Sequence, residues 1–376
     1  MAAKDKNDKH SVRNTEDINA KIKALGDRLV KQIETMENPH LDIPIRGSAN
    51  VHFDEKDQKI VLGDKMAKRL LFNVSHARRF MQTMLVGSYV EKDLLANGLT
   101  ATLRDLYYAK KHTIEGTKED TIDEQKESDL AIVDFEVALN TFRERLNLRA
   151  EPKGRMAGNM SVEDRVRDKV DLIDLSKMGS GGWSVPSIVE QIEFKRVDVE
   201  YVLVAEKNAI FDRLNEDKFW QKNKCLIMTT AGQAARGARR FLQRLSTELK
   251  LPVYILTDAD PYGWYIYSTM KYGSMALAHE SERLGCREAK FLGMSISDIE
   301  HYDLKAVTIK AKEVDIKRAQ EMKQYEWFKY KEWQTEINKF LDLKIKAEIQ
   351  SLSSKNLQYI SNVYLPEKIK NQDFLP

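Results

Sequence analysis

The stretch TLRDLYYAKKH, residues 102–112, places two adjacent tyrosines among basic residues. If residues 99–110 form a helix, the leucines at 99, 103 and 106 share an apolar stripe with Tyr107, whereas Tyr108 follows Arg104 by four positions on another face. A phenol with a pKa near about 10 is scarcely ionised at neutral pH, and a neighbouring guanidinium favours the phenolate. The pattern therefore predicts Tyr108 as an activated nucleophile and Tyr107 as a packing ring.

Three carboxylates follow short apolar runs that resemble buried strands. VEYVLVAE ends in Glu206, and LPVYILTDAD ends in Asp258 and Asp260. Because parallel strands present their carboxyl ends at one edge of a sheet, these groups should converge and repel each other unless they hold a cation. Oxygen ligands favour Mg²⁺, with Mn²⁺ as a possible substitute. The alternative is that they are ordinary turn residues after strands.

The composition describes a globular chain with room for at least two domains. The 376 residues carry 61 basic and 58 acidic side chains, a net charge of +3 that does not exclude a nucleic-acid partner. The sequence has no run of 18 apolar residues, no secretory signal, no Walker loop, no GxSxG and no HExxH. Its two cysteines, Cys225 and Cys286, lie far apart, which excludes a thiolate zinc site and suggests a cytoplasmic setting.

The N-terminal part of the chain reads mainly as helices. We expect a disordered tail over residues 1–14, then an extension over 15–63 in which a helix capped by Thr15 carries apolar residues at helical spacing and precedes two strands around a turn. That helix is our candidate for packing on another chain. Residues 64–155 combine short helices, with a break near Gly87 and a stop at Gly98, and the strand-like KGRMAGNM. Together they predict a winged helix-turn-helix domain of the CAP-like kind.

Two groups of basic residues are candidates for contact with DNA phosphates. The first belongs to the predicted winged-helix domain and consists of Arg143, Arg145, Arg149, Lys153 and Arg155. The second follows the second strand of the next domain and consists of Arg236, Arg239, Arg240 and Arg244. The second group could instead be the solvated face of a helix.

After an interdomain segment, residues 156–194 with the glycine-rich loop MGSGGWSVP, the pattern changes to alternating strands and helices. This alternation predicts an α/β domain with a parallel sheet over residues 195–376. Its C-terminal part reads as helices. The aromatic residues of that part are expected in the core or in a subunit interface rather than in base stacking: Trp327, Phe328, Tyr330, Trp333 and Phe340.

Four motifs in order resemble those of the A subunits of DNA topoisomerase VI, a type IIB family related to the meiotic double-strand-break transesterase. They are LRDLYYAKKH, IDLSKMGSGGWSVP, VLVAEKNAIFDRL and YILTDADPYGWYIYSTMKYGS, and the similarity runs from about residue 15 to about residue 370. The resemblance implies a winged-helix domain followed by a Toprim α/β domain with a parallel sheet.

Carried over to this sequence, the resemblance implies that Tyr108 attacks a DNA phosphodiester and forms a 5′-phosphotyrosyl link, assisted by Arg104. Glu206, Asp258 and Asp260 would hold Mg²⁺. The tyrosine of one protomer would act with the metal site of the other, so that a homodimer makes a transient double-strand break in DNA.

The resemblance also implies partners and a location. ATP would be used by a separate GHKL-type ATPase B subunit in an A2B2 heterotetramer that relaxes or decatenates DNA, and the location would be cytoplasmic and nucleoid-associated. The segment Ala231-Gly232-Gln233 departs from the GKG-type sequence of the eukaryotic relatives, which favours the topoisomerase branch.

Three alternatives stay open at the level of the sequence. A break-forming recombination transesterase would use every one of these residues without efficient resealing. A Toprim nuclease or primase would use the metal without the tyrosine. A non-catalytic DNA-binding scaffold would have no need for three clustered carboxylates.

Overall fold

The computed structural model describes residues 4–166 and 169–376. The chain forms two compact units, which are described separately. The first unit consists of Met1–Val51 and Leu62–Glu151, and the second consists of His52–Val61 and Pro152–Pro376. The chain therefore passes from one unit to the other at three points in the sequence.

The elements up to residue 151 are mostly helical, as the sequence predicts. In chain order they are α1 (Lys4–Glu34), β1 (His40–Pro44), β2 (Val51–Asp54), β3 (Lys59–Leu62), β4 (Met66–Leu70), α2 (Val74–Tyr89), β5 (Ala101–Thr102), α3 (Leu103–Lys110), α4 (Gln125–Ala138) and β6 (Leu148–Arg149). Strand β1 pairs with β4 in antiparallel orientation, and β5 pairs with β6 in parallel.

Helix α1 corrects the prediction for the N-terminus. It begins at Lys4, so residues 4–14 are helical rather than a disordered tail, and Thr15 lies inside the helix instead of capping it. The predicted tail residues 1–3 lie outside the described residues. The apolar stripe of α1 is buried in the core of the first unit, with Ile18, Ile22, Leu25 and Leu29 among the core residues. The stripe is therefore used within the chain itself.

The sequence predicted a helix break near Gly87, but helix α2 is continuous through this residue. It continues to Tyr89 and then directly into a π-helical turn over Val90–Leu95. Gly87 is instead a packing position, because a Cβ there would lie 2.9 Å from Cε2 of Phe135 on α4. The predicted stop at Gly98 is confirmed by its φ of 60°, a conformation that favours glycine.

The second unit contains the remaining elements. In chain order they are β7 (Arg155–Ala157), β8 (Met160–Val166), β9 (Lys169–Asp174), β10 (Trp183–Ser184), β11 (Ile192–Val197), β12 (Tyr201–Ala205), α5 (Asn208–Glu216), α6 (Phe219–Lys222), β13 (Cys225–Thr229), α7 (Arg236–Glu248), β14 (Val253–Leu256), α8 (Pro261–Tyr272), α9 (Ser281–Leu284), β15 (Lys290–Gly293), α10 (Ile296–His301), β16 (Ile309–Lys310), α11 (Glu313–Met322), α12 (Lys331–Leu343), β17 (Ile345–Lys346) and α13 (Leu365–Lys370).

A six-stranded sheet forms the centre of the second unit, in the order β10-β7-β13-β12-β14-β15. The three predicted strands are confirmed as β12, β13 and β14, and β12 pairs in parallel with both of the others. Residues 201–205 and 225–229 are buried throughout, as expected for strands covered on both faces. The carboxyl ends of β12 and β14 therefore lie side by side at one edge of the sheet.

Strand β7 corrects another prediction. KGRMAGNM was expected to belong to the winged-helix domain, but β7 pairs with β13 in antiparallel orientation and is part of the six-stranded sheet. The physical reason is burial, because Met156 and Ala157 are both buried beside β13. Strands β8, β9 and β11 form a separate antiparallel sheet in the order β11-β8-β9.

The hairpin of β2 and β3 was expected in the N-terminal extension but packs within the second unit. Phe53 places its ring centroid 5.4 Å from that of Tyr272 and 5.9 Å from that of Trp327. Gln58 accepts a hydrogen bond of 2.7 Å from the Tyr330 hydroxyl. A stretch of ten residues, numbered 52–61, thus completes the aromatic cluster of a unit whose other residues begin at 152.

The aromatic residues near the C-terminus confirm the prediction of a core role. Trp327, Phe328, Trp333 and Phe340 are buried, and Tyr330 is half-buried. Among the described residues, no helix is both long and apolar enough to cross a membrane.

Candidate active site

The two tyrosines lie on α3, a short helix whose first turn is fixed by its own side chains. Thr102 accepts a hydrogen bond from the backbone N–H of Asp105, and Asp105 accepts one from the backbone N–H of Thr102. This capping box makes the helix begin at Leu103, later than predicted, and leaves Leu99 exposed instead of on the apolar stripe. Leu106 is fully buried and anchors the helix to the core of the first unit.

The two rings differ in what their hydroxyl groups contact. The Tyr107 hydroxyl donates to the carbonyl oxygen of Asp123 at 3.1 Å, and the ammonium of Lys111 donates to the same hydroxyl at 3.1 Å. Tyr108 is 61% exposed, and the guanidinium carbon of Arg104 lies 5.7 Å from its ring centroid. Arg104 was expected beside the Tyr108 hydroxyl, but in the structure it lies over the ring.

The carboxylates predicted to bind a metal follow two adjacent strands of the six-stranded sheet. Glu206 comes directly after β12, and Asp258 and Asp260 come just after β14. Ala205 and Leu256 are paired across the two strands, and the backbone N–H of Glu206 donates to the Leu256 carbonyl at 3.0 Å. The parallel register therefore brings Glu206 level with the start of the segment Asp258-Ala259-Asp260, which is called the DAD segment.

The DAD segment is held in a tight turn. The backbone N–H of Asp260 donates to the carbonyl of Asp258 at 2.9 Å, and Asp260 caps α8 by accepting from the N–H of Gly263 at 2.8 Å. A Cβ on Gly263 would lie 2.6 Å from the carbonyl oxygen of Asp258, which is closer than side chains tolerate. Glycine at this position therefore allows the turn that directs both carboxylates.

The electrostatics of this edge favour a cation. Burial raises the pKa of Glu206 to about 7, and the neighbouring charges of Asp258 and Asp260 contribute to that rise. Burial also raises the pKa of Asp258. Oε2 of Glu206 is buried and has no hydrogen-bond partner among the described residues. A divalent ion with a preference for oxygen ligands fits this donor set, because it would satisfy that oxygen and relieve the repulsion.

Two lysines also lie at the carboxylates. The Lys207 ammonium is 2.7 Å from Oδ2 of Asp258, and the Lys346 ammonium is 3.6 Å from Oδ2 of Asp260. Sequence reasoning missed both lysines. Lys207 directly follows Glu206, which was an available signal, whereas nothing in the sequence links Lys346 to the DAD turn.

The arginines predicted to contact DNA are placed in different environments. Arg143, Arg236 and Arg239 are buried, so the expectation that they present exposed guanidinium groups is wrong. The cause is local packing, because Arg236 and Arg239 belong to the inward face of α7, and Arg236 forms an ion pair of 2.6 Å with Glu280.

The remaining predicted contacts are exposed or half-buried, except for Arg244, and most are paired. Arg149 is exposed and pairs across β5 and β6 with Thr102, beside the first turn of α3. Arg145, Arg155 and Arg240 form ion pairs of 2.9, 2.9 and 3.2 Å with carboxylates of their own units. Of the other two, Arg244 is buried against Glu248, and Lys153 is exposed and donates to the carbonyl of Gln233 at 2.9 Å.

Comparison with known protein families matches most of the chain. Residues 78–148 match the family described as type IIB DNA topoisomerase, and residues 151–198 match an all-beta domain of the alpha chain of DNA topoisomerase VI. Residues 201–369 match the Toprim domain shared by the A subunit of topoisomerase 6 and Spo11. The third match contains all three carboxylates.

Individual relatives align over nearly their full length. The chain is 43% identical to the A subunit of type 2 DNA topoisomerase 6 from Pyrococcus abyssi, over 95% of this chain and 94% of the relative. It is 46% identical to that of Saccharolobus shibatae, over 92% and 93% of the two chains. The chain belongs to the family of topoisomerase VI A subunits. A more distant member, from Methanocaldococcus jannaschii, is 34% identical over 94% of each chain.

Membership of the topoisomerase VI A subunits makes the chain part of a DNA topoisomerase, and specifically the cleavage subunit of a type IIB enzyme. The Toprim match contains four adjacent strands of the six-stranded sheet, β13, β12, β14 and β15, together with its carboxylate edge. The all-beta match contains the three-stranded sheet of β8, β9 and β11, together with β7 and β10 of the six-stranded sheet, and it includes all of the predicted interdomain segment 156–194.

Proposed function

We propose that the chain cleaves DNA by transesterification through Tyr108. The hydroxyl oxygen of Tyr108 loses its proton as it attacks a backbone phosphorus, the bond from phosphorus to the 3′ oxygen breaks, and the 3′ oxygen takes up a proton and leaves as a hydroxyl. The products are a 5′-phosphotyrosyl link and a free 3′-hydroxyl. The observation that carries this proposal is the contrast within the pair, because Tyr108 is 61% exposed while the hydroxyl of Tyr107 is held by Lys111 and Asp123.

Arg104 supports the reaction from one turn earlier on α3. Its guanidinium lies over the Tyr108 ring and can reach an oxygen of a phosphate that approaches the hydroxyl. In that position it stabilises the negative charge that grows on the pentavalent phosphate. Arg149 is proposed to hold a flanking phosphate, and its exposure beside the start of the same helix supports this role.

Glu206, Asp258 and Asp260 are proposed to hold Mg²⁺, with Mn²⁺ as a substitute. When bound, Mg²⁺ supplies charge stabilisation at the scissile phosphate and the leaving oxygen. The protein's own contribution is to hold three carboxylates at one sheet edge, two of them fixed by the turn at Gly263. The buried oxygen of Glu206, which has no partner among the described residues, supports this assignment.

The assembly is proposed to be a homodimer of A subunits joined to two ATPase B subunits. The first unit serves as the winged-helix DNA-binding domain and carries Tyr108, and the tyrosine of one chain works with the carboxylates of its partner. The placement of tyrosine and carboxylates in separate compact units supports this division. A chain without a Walker loop needs a partner for ATP, and the exposed Val30, Ile33 and Met36 near the end of α1 are our candidates for its docking site.

A cleavage assay with supercoiled plasmid tests the proposal. The chain is incubated with its B subunit, Mg²⁺ and ATP, quenched with detergent and digested with protease, with Tyr108→Phe and Tyr107→Phe in parallel. We expect linear DNA with protein on its 5′ ends from the wild type and from Tyr107→Phe, and none from Tyr108→Phe. Cleavage that survives in Tyr108→Phe would instead establish a metal-dependent nuclease.

A further inference from the structure

The sheet edge that carries Glu206, Asp258 and Asp260 is called the metal edge. Lys207 lies among the polar side chains at this edge. Its ammonium contacts Oδ2 of Asp258 at 2.7 Å, Oε2 of Glu348 at 3.1 Å and Oε1 of Gln350 at 3.2 Å. One of these acceptors belongs to the proposed metal site, and the other two belong to a segment close to the C-terminus. A single flexible side chain thus has acceptors on two sides.

The C-terminal acceptors are held at this edge by backbone contacts. The N–H of Ala259 donates to the carbonyl of Ala347 at 2.9 Å, and the N–H of Ile349 donates to Oδ1 of Asp258 at 2.9 Å. Residues 347–350 therefore run along the DAD turn and place Glu348 and Gln350 next to it. Their position is fixed independently of Lys207.

The Lys207 ammonium and a divalent ion would compete for Asp258. Both are cations that need the same carboxylate oxygen, and a bound divalent ion would repel an ammonium only a few ångströms away. Lys207 can leave Asp258 without losing every partner, because Glu348 and Gln350 remain within reach of the same nitrogen. The side chain itself is about a quarter exposed, so it has room to move.

We propose that Lys207 is a tethered cation that neutralises Asp258 when no metal is bound and moves onto Glu348 and Gln350 when a divalent ion binds. This inference rests on the metal site proposed above. Lys207 is a positioning residue in this role, since it acts through Asp258. Glu348 is its acceptor in the metal-bound state and not a metal ligand.

The proposed movement of Lys207, called the exchange, predicts that substitutions of Lys207 and Glu348 change the metal affinity in opposite directions. Lys207→Met removes the competitor, so Mn²⁺ should bind more tightly by roughly tenfold. Glu348→Gln removes the acceptor that receives the ammonium, so Lys207 should stay on Asp258 and Mn²⁺ should bind several times more weakly. Lys207→Arg keeps the charge and should bind Mn²⁺ much as the wild type does.

The measurement is a titration of the purified full-length chain with Mn²⁺, in which free ion is followed by electron paramagnetic resonance without DNA or ATP. Lys331→Met is the matched control, because Lys331 is an exposed lysine of the same unit. Thermal unfolding of each variant shows that it is folded. An unchanged or weaker affinity in Lys207→Met would overturn the proposal.

The double variant Lys207→Met/Glu348→Gln separates the proposed role of Glu348 from direct ligation. If Glu348 acts through Lys207, Glu348→Gln should change the affinity by less than about twofold once Lys207 is absent. If Glu348→Gln weakens binding equally in both backgrounds, Glu348 is a ligand and the exchange is wrong. Glu206→Gln tests the underlying site, because an Mn²⁺ affinity that it leaves unchanged would refute the metal site itself.

Discussion

The guanidinium carbon of Arg104 lies 5.7 Å from the centroid of the Tyr108 ring, over its face and one helical turn away. The contact holds a positive charge near the exposed tyrosine and leaves the guanidinium edges available to a ligand. A phosphate that reaches the Tyr108 hydroxyl would therefore meet two groups of the same short helix. The spacing of four residues makes the pairing a property of α3 alone.

Arg104→Ala should lower the rate of DNA cleavage by roughly 10²–10³, the usual effect of removing one charge-stabilising donor. Arg104 is exposed, so the free energy of unfolding of the variant should lie within about 0.5 kcal/mol of the wild-type value. The rate is measured as covalent protein–DNA complex formed over time. Lys92→Ala, at an exposed position of the same unit, is the control. Equal rates in both variants would leave Arg104 without a catalytic role.

Metal binding should depend on pH near neutrality. The pKa of Glu206 is raised to about 7, and a protonated carboxyl does not ligate a metal, so affinity should rise as the pH passes upward through about 7. At pH 6 roughly one tenth of Glu206 is ionised, which predicts Mn²⁺ binding about tenfold weaker than at pH 8. Titrations at both pH values measure this ratio. In Glu206→Gln the ratio should fall toward one, and a ratio unaffected by that substitution would contradict the assignment.

Gly263→Ala should damage the metal edge more than the fold. The added Cβ would lie 2.6 Å from the carbonyl oxygen of Asp258, so the turn must open and both aspartates must shift. We expect Mn²⁺ affinity to fall by at least about tenfold, with a loss of stability of about 1–3 kcal/mol as is usual for overpacking. Gly181→Ala is the control, because a Cβ there has open space around it. Full metal affinity in Gly263→Ala would show that the turn geometry is not required.

Lys271→Met should stabilise the chain at neutral pH. Burial lowers the pKa of Lys271 to about 8, so its folded-state pKa lies below that of the unfolded chain. The penalty for folding with this lysine is full below pH 8 and disappears as the pH rises toward about 10.5, so its removal should help most at pH 7. The gain should be on the order of 1–3 kcal/mol.

Chemical denaturation of the wild type and Lys271→Met at pH 7 and pH 10 measures the difference in their free energies of unfolding. The carbonyl of Ala289, which accepts from Lys271, also accepts from Tyr267 and so keeps a partner in the variant. A variant that is less stable than the wild type at pH 7 would show that the lysine's contacts outweigh its desolvation.

The parallel sheet and its carboxylate edge could be predicted from the sequence because their signals are local. Buried strands such as VLVA are continuous apolar runs, and an acidic residue directly after such a run marks the strand end. The side chains of the metal edge that lie far apart in sequence could not be predicted. Glu348 reaches Lys207 only because residues 347–350 pair with the DAD turn, and no periodicity in the sequence encodes that pairing.

The wrong predictions for single residues have a common physical cause. Gly87 resembles a helix break by propensity, but the requirement that α2 approach Phe135 closely overrides that preference. Arg236 and Arg239 resemble surface residues by charge, yet α7 turns them inward. In each case the residue type was interpreted in isolation, whereas the environment decided its role.

The β2–β3 hairpin makes the two units inseparable by a single cut in the gene. A fragment that ends at residue 151 would carry the hairpin away from Tyr272 and Trp327, and would expose Phe53 to water. A fragment that begins at residue 152 would lack the strand pair that covers those rings. Recombination that exchanges one unit between relatives would therefore preserve these ring contacts only if it transferred residues 52–61 together with residues 152–376.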